Sequence, residues 1–426
     1  MRGLLSIKPA YLTILVCALV FYVVDKGVLP AFRTIDSDFP NYYVAAKIIR
    51  EGNDPARLYD DGWFQQQIHA SGIRQLGKFS PFPPATAFVL LPLTGFSPLT
   101  ALRIVTVLNL LMVAAAILLL ARCCAFTLLE SSAFVLLSGI GLVNCIRFGQ
   151  LYIAVSLLMV LGFFLLERRQ EAWAGACLAL PVPFKYFPAV YLAYFGMKGK
   201  WKILLASAAV VLGIFGISVA FMGWQVHAQF FRSILPRHLQ SDLSPADPFS
   251  VAFQSWDSLL RRLFVYDAAR NPHPVVHAWG FYLALKAAII LCTTAAAGQG
   301  MRWAERNGNS GGQRLSIALL GIWGLLIAPA TATYHFILLW LPVGCLLAYL
   351  RETGKAGWFC LSLSLYAGIG FVPYAAFRSL AGQGVLSLAA YPRLWLTCAL
   401  FFVALAAAHG RKRCCFDPIL TSMYRR

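Results

Sequence analysis

The sequence predicts an all-α polytopic membrane protein. Of its 426 residues, 59% are hydrophobic and only 12% charged, and the mean hydropathy is +0.69. Soluble domains do not have this composition. Apolar runs of about 20 residues also recur along the chain, the length a hydrocarbon core about 30 Å thick requires of a helix.

The runs cover residues 10–24, 98–121, 126–146, 149–166, 203–222, 276–299, 314–332, 334–350, 356–377 and 386–408. About ten spans are therefore expected, forming one unit over 1–426. The first run, in MRGLLSIKPAYLTILVCALVFYVV, follows a basic end. It has no small-residue cleavage site before Asp25, so it reads as a retained span. Within 172–196, Pro181, Pro183 and Pro188 surround Lys185. Proline removes a backbone donor and clashes with the preceding turn, so this segment is predicted to break into a re-entrant pair of half-helices.

The distribution of charge sets the expected topology. With the N-terminus inside, eighteen Lys and Arg fall on inner connections and span ends, among them Arg168, Arg169, Lys198, Lys200, Lys202 and Arg314. The short outer connections hold only Arg147, Arg378 and Arg393. This asymmetry is the positive-inside pattern, and it places both termini in the cytoplasm. Two long polar segments, 25–83 and 223–275, then face the extracytoplasmic side and hold 11 of the 17 acidic residues. The formal net charge of +19 follows from these loops, and no nucleic-acid partner is expected. Eleven cysteines show no CxxC or zinc-type spacing and avoid both polar segments, so disulfides and structural metal sites are not expected. The adjacent pairs Cys123/Cys124 and Cys414/Cys415 lie at the ends of apolar runs, where lipidation and chance are the competing readings.

The chemistry-bearing candidates sit mainly where spans meet the outer face. Asp38 follows the first span and precedes Tyr42 by four residues. There it could act as a general base toward a lipid-borne substrate, taking the proton of a weakly nucleophilic hydroxyl. A solvated acid or helix cap is the competing reading. Asp36 and Asp38 form an Asp-x-Asp, a pattern that elsewhere holds a divalent ion; no third acidic ligand is near in sequence. Lys185 is an intramembrane charge that requires a partner, either an anionic lipid phosphate or the carbonyls freed by the prolines, unless it snorkels to the surface. Lys286 and Arg103 pose the same question, with easier access to an interface. Tyr334 and His335 follow PATAT at the junction of two spans and read as substrate contacts or as helix packing. Gln150, beside Arg147, has the same two readings. Arg261 and Arg262 after QSWDSLL read as a solvated helix face or as phosphate contacts.

The order of several short blocks resembles glycosyltransferase family 87. They are DFPNYYVAAKIIREGNDPARLYD, FSPFPPATAFVLLPL, FGQLYIAVSLLMV, AGACLALPVPFKYFP with MKGKWK, QSWDSLLRRLF and APATATYHFILLWLP. The resemblance implies a GT-C-like bundle that moves a sugar, with mannose favoured, from a polyprenyl-phosphate-sugar donor to a lipid or glycan acceptor. It implies Asp38 as the catalytic residue. Asp36, Tyr42, Gln150 (with Gly149), Lys185 (with Pro188), Tyr334 and His335 become substrate-binding residues. No metal or other cofactor is implied, because lipid phosphate is already a good leaving group. The partners are then the donor, the acceptor and membrane lipids, and the expected location is the plasma membrane of a bacterium. Two departures bear on the acceptor. Tyr152 stands where the family usually has Asn, and Ala328, Pro329, Tyr334 and His335 stand where it often has Ser-Pro and paired His. The competing class is a flippase for polyprenyl-linked glycans or another transporter, in which the same charges line a path. A noncatalytic assembly subunit is a third reading.

Overall fold

The computed structural model describes residues 8–240, 247–306 and 310–409. Within them every regular element is helical, with only an isolated bridge between Asp267 and Asn271 besides. Six helices are long and apolar enough to cross a membrane: Pro9–Arg33, Pro98–Cys123, Trp201–Met222, Trp279–Glu305, Thr333–Glu352 and Pro392–His409. Two bent pairs raise the number to eight, Leu128–Leu136 with Ile140–Arg147 at 76° and Ala356–Phe371 with Tyr374–Leu380 at 73°. The last two apolar runs are the shorter helices Tyr152–Glu167, of 16 residues, and Ser310–Leu326, of 17. The chain is thus a polytopic helical membrane protein.

Local signals fix the helix starts. Ser97 accepts the Thr100 amide ahead of Pro98, a residue suited to a first helical turn. Thr127 and Glu130 form a reciprocal capping box, and Glu130 then reaches Arg351 at 3.4 Å. Arg103, left open by the sequence, donates from Nε to the Phe32 carbonyl at 3.0 Å.

The proline-rich segment breaks as expected. Glu171–Ala179 and Ala189–Met197 are nine-residue half-helices joined by an irregular stretch containing Lys185. Their outer ends, Glu171 and Lys198, line the same cavity, so the segment enters and leaves by one face. Glu171–Ala179 packs parallel to Trp201–Met222 through Gly175. A Cβ there would lie 2.4 Å from the Ile203 carbonyl oxygen, and Ser207 donates to the Gly175 carbonyl at 3.0 Å.

The two polar segments share a core. Phe39, Tyr42, Phe64, Ile68 and Phe79 from the first pack with Val226 and Phe230 from the second, with the Tyr59 and Phe230 rings 6.2 Å apart. Both segments therefore lie on one face. Further along, Ser255 accepts the Ser258 amide and donates to the Pro329 carbonyl, while Gln254 accepts the Arg393 amide. The expectation that Arg261 and Arg262 form a solvated face is overturned. Arg261 is largely buried and pairs with Asp257 at 2.8 Å, and Arg262 donates to the carbonyls of Phe249 and Arg270. Asp257 also takes Lys286 at 2.5 Å and the Tyr282 hydroxyl at 2.6 Å. Burial opposes its ionisation, and the Arg261 and Lys286 charges outweigh that effect and hold its carboxyl below the ordinary range. Lys286 thus serves a helix–helix clamp. Cys123 and Cys124 are buried against the core, which gives a lipid-transfer enzyme no access; Cys414 and Cys415 lie outside the described residues.

Gly175→Val is expected to lower the apparent melting temperature in detergent, since forced overpacking costs about 1–3 kcal/mol. Gly213→Val, on the long helix Trp201–Met222 that Gly175 packs against and with no heavy atom within 4 Å of its would-be Cβ, is the control. Equal melting of the two variants would overturn the close-packing account.

Candidate active site

The site begins at a turn in left-handed backbone. Ser37 has φ 46°, a conformation a non-glycine residue adopts at a cost, and it delivers Asp38 to the start of helix Phe39–Arg50. Asp38 occupies the N-cap position, yet its side chain caps no amide. Its Oδ2 instead accepts Gln150 Nε2 at 2.5 Å, and it is also hydrogen-bonded to the Tyr334 and Ser37 hydroxyls. The capping reading therefore does not apply.

Gln150 links two elements. Its Oε1 accepts the Tyr42 hydroxyl at 2.7 Å while its amide donates to Asp38, so the side chain is oriented by its two partners. Only 1% of Gln150 is exposed. The preceding Gly149 has φ 60°, and a Cβ there would meet Phe39 Cδ2 at 2.8 Å. Glycine thus permits the close passage that brings Gln150 to Asp38.

Lys185 is 8% exposed and makes no ion pair among the described residues. Its Nζ lies 4.2 Å from the Phe82 ring centroid, 4.7 Å from that of Tyr152 and 5.5 Å from that of Tyr42. The negative ring faces stabilise the ammonium. Asp38 is its main opposite charge, acting across a gap longer than a salt bridge. Snorkelling is excluded by this enclosure. Burial raises the Asp38 carboxyl above its ordinary value, and the Lys185 charge and the bonds from Gln150, Tyr334 and Ser37 offset part of that rise.

Tyr334 and His335 close the far wall. The Tyr152 ring stacks on Tyr334 at 5.5 Å and meets His335 edge-on at 4.6 Å. His335 Nδ1 accepts the Ala332 amide at 2.7 Å, which in a neutral ring assigns the proton to Nε2. The turn before it is anchored by Arg393, which is 1% exposed and donates to the Thr333 hydroxyl at 2.5 Å and the Ile369 carbonyl at 2.9 Å.

Five of the sequence-selected residues, Tyr42, Gln150, Lys185, Tyr334 and His335, are thus gathered around Asp38. Asp36 is not. Arg147 holds it in an ion pair, with Nε donating to its Oδ2 at 2.7 Å, so the two carboxylates of the Asp-x-Asp have different partners. No group of three His, Cys, Asp or Glu suited to a metal occurs among the described residues. Sequence reasoning missed Tyr152 and Phe82 as walls, and His238 altogether. The Nδ1 of His238 is buried without a hydrogen-bond partner, and its ring lies 6.1 Å from that of Tyr186. Burial, with the Lys185 and Lys78 charges, pushes its pKa down to about 4, so the imidazole is neutral at physiological pH.

These features define a polytopic membrane protein with a half-buried carboxylate, a caged ammonium and several hydroxyls at one membrane face. The family model of glycosyltransferase family 87 matches residues 81–329, more than half of the chain. The protein belongs to that family and is a membrane glycosyltransferase. The match contains Gln150, Lys185 and His238; Asp38, Tyr42, Tyr334 and His335 lie outside it. No curated protein and no solved structure matches the chain.

Gln150→Leu is expected to lower the melting temperature, because leaving buried polar groups unpaired costs about 1–3 kcal/mol. Adding Tyr42→Phe should recover part of the loss by removing one stranded hydroxyl. Additive losses in the double variant would show that the hydrogen bond between them has no such role.

Proposed function

We propose that the protein transfers a sugar, mannose favoured, from a polyprenyl-phosphate-sugar donor to a hydroxyl of a lipid or glycan acceptor. The reading places the reaction on the extracytoplasmic side of a bacterial plasma membrane, with 25–83 and 223–275 as extracytoplasmic loops of one catalytic unit and both termini cytoplasmic. The charge asymmetry of the connections supports that orientation. The observation that carries the mechanism is Asp38. It is a carboxylate partly withdrawn from water, raised toward basicity, and released from capping its own helix.

In this mechanism the acceptor O–H gives its proton to Asp38 as its oxygen attacks the anomeric carbon. The bond from that carbon to the donor phosphate oxygen breaks, and the electron pair leaves with the lipid phosphate. Lys185 and the Nε2–H of His335 counter the developing negative charge. Tyr42 acts through Gln150 to fix the Asp38 carboxylate, and Tyr334 touches it directly. Asp36, held by Arg147, borders the site and contacts substrate outside the reacting centre. With a single carboxylate and no covalent intermediate, one displacement inverts the anomeric configuration. A transporter reading finds less support, because the family is one of transferases and Asp38 is oriented by three side chains as a base should be.

Purified protein supplied with polyprenyl-phosphate sugars and candidate acceptors provides the test. Asp38→Asn should reduce transfer by about 10²- to 10⁴-fold while leaving donor binding in place. Transfer at the normal rate by that variant overturns the mechanism. The acid limb of kcat/KM should lie above the ordinary aspartate value of about 4, since the base works only when ionised and burial raises the pH at which it ionises. A limb at or below that value would remove Asp38 as the base.

A further inference from the structure

A second polar site lies at the membrane face opposite Asp38. Helix Tyr152–Glu167 begins beside Asp38, and its 16 residues carry the chain about 24 Å to the other face. There an open cavity of about 1030 Å³ is lined by four cations, Arg169, Lys198, Lys200 and Lys202, against two carboxylates, Glu171 and Glu305. Lys200 pairs with Glu171 at 2.8 Å and Lys198 with Glu305. Arg169 and Lys202 form no ion pair among the described residues, and the lining keeps an excess of two positive charges.

The backbone adds to the same sign. Helices Glu171–Ala179 and Trp201–Met222 run parallel with their N-termini side by side, and neither start has a side-chain cap. Their positive dipole ends therefore face one region. The surroundings are apolar: Trp173 lines the cavity and is 68% exposed, and Trp201 and Met197, each next in sequence to a lining lysine, are 68% and 74% exposed. Indoles at this level mark the boundary between headgroups and acyl chains. A general surplus of Lys and Arg at this face explains the sign of the charge. It does not explain the cavity around it or the indoles beside it.

We propose that this cavity binds the phosphate headgroup of an anionic membrane lipid, with Arg169 and Lys202 as its cations and Trp173 and Trp201 against the adjoining acyl chains. A phosphodiester or phosphomonoester carries the one to two negative charges that the lining lacks, and the apolar surroundings favour a lipid over a soluble phosphate. The site is separate from the sugar-transfer centre, so its test does not depend on that reading.

The full-length protein, purified in detergent, is incubated with phosphatidate, phosphatidylglycerol or phosphatidylcholine, and lipid retention is read by native mass spectrometry. The wild type should retain either anionic lipid over phosphatidylcholine by about tenfold, the scale expected when two cations meet a headgroup. The double variant R169Q/K202Q should lose that preference, and Arg232→Gln, an exposed cation on the Asp38 face, should keep it. Lys202→Gln alone, with a several-fold loss expected, is read beside the double variant should the latter fail to fold. Equal retention of anionic and zwitterionic lipid by the wild type overturns the proposal, as does an unchanged preference in the variants that fold. Displacement of the lipid by millimolar inorganic phosphate overturns the assignment to a lipid.

Discussion

The ammonium of Lys185 has been taken out of water without a carboxylate in contact, and the surrounding elements are arranged to make that tolerable. An uncompensated buried ion costs several kcal/mol after relaxation, whereas each aromatic face returns about 0.5–2 kcal/mol. The rings of Phe82, Tyr152 and Tyr42 must therefore close around Nζ together. Those rings belong to the end of the first polar segment, the start of helix Tyr152–Glu167 and the helix that Asp38 opens. The remaining charge is balanced by Asp38 at a distance, and Asp38 is held in turn by Gln150 and Tyr334. The Lys185 ammonium and the Asp38 carboxylate thus depend on one another through the field between them.

Much of this arrangement was legible in the chain, and what was missed has identifiable causes. The helical fold followed from run lengths, and the half-helices from three prolines around a lysine. Tyr42 follows Asp38 by four residues, one helical turn on, and its hydroxyl meets Gln150. The runs 149–166 and 314–332 gave helices of only 16 and 17 residues, because their neighbouring residues form turns, one carrying Gln150 and the other leading to Tyr334. A hydropathy window cannot distinguish a turn built from apolar residues from the helix beside it.

Asp36 and Asp38 looked alike in sequence, and their partners, Arg147 and Gln150, stand 111 and 112 residues away. No local pattern separates them. His238 was invisible for the same reason, since only the docking of the second polar segment brings it near Tyr186. The pairing of Arg261 with Asp257 was readable, because an acid four residues before an arginine on a helix is a neighbour. The error there was to treat the arginines as a surface pair without looking back one turn.

The shared core of the two polar segments also bears on how the protein is made. Phe39, Phe64 and Phe79 are synthesised early, yet they are covered by Val226 and Phe230, more than 140 residues later. The wall formed by Tyr334 and His335 follows after another hundred. A ribosome-bound chain that has inserted its first helices therefore carries Asp38 without Lys185 or the far wall, and a product truncated before the eighth apolar run lacks Tyr334 and His335. Such an intermediate would leave part of the aromatic surface of the first polar segment uncovered until the second segment is made.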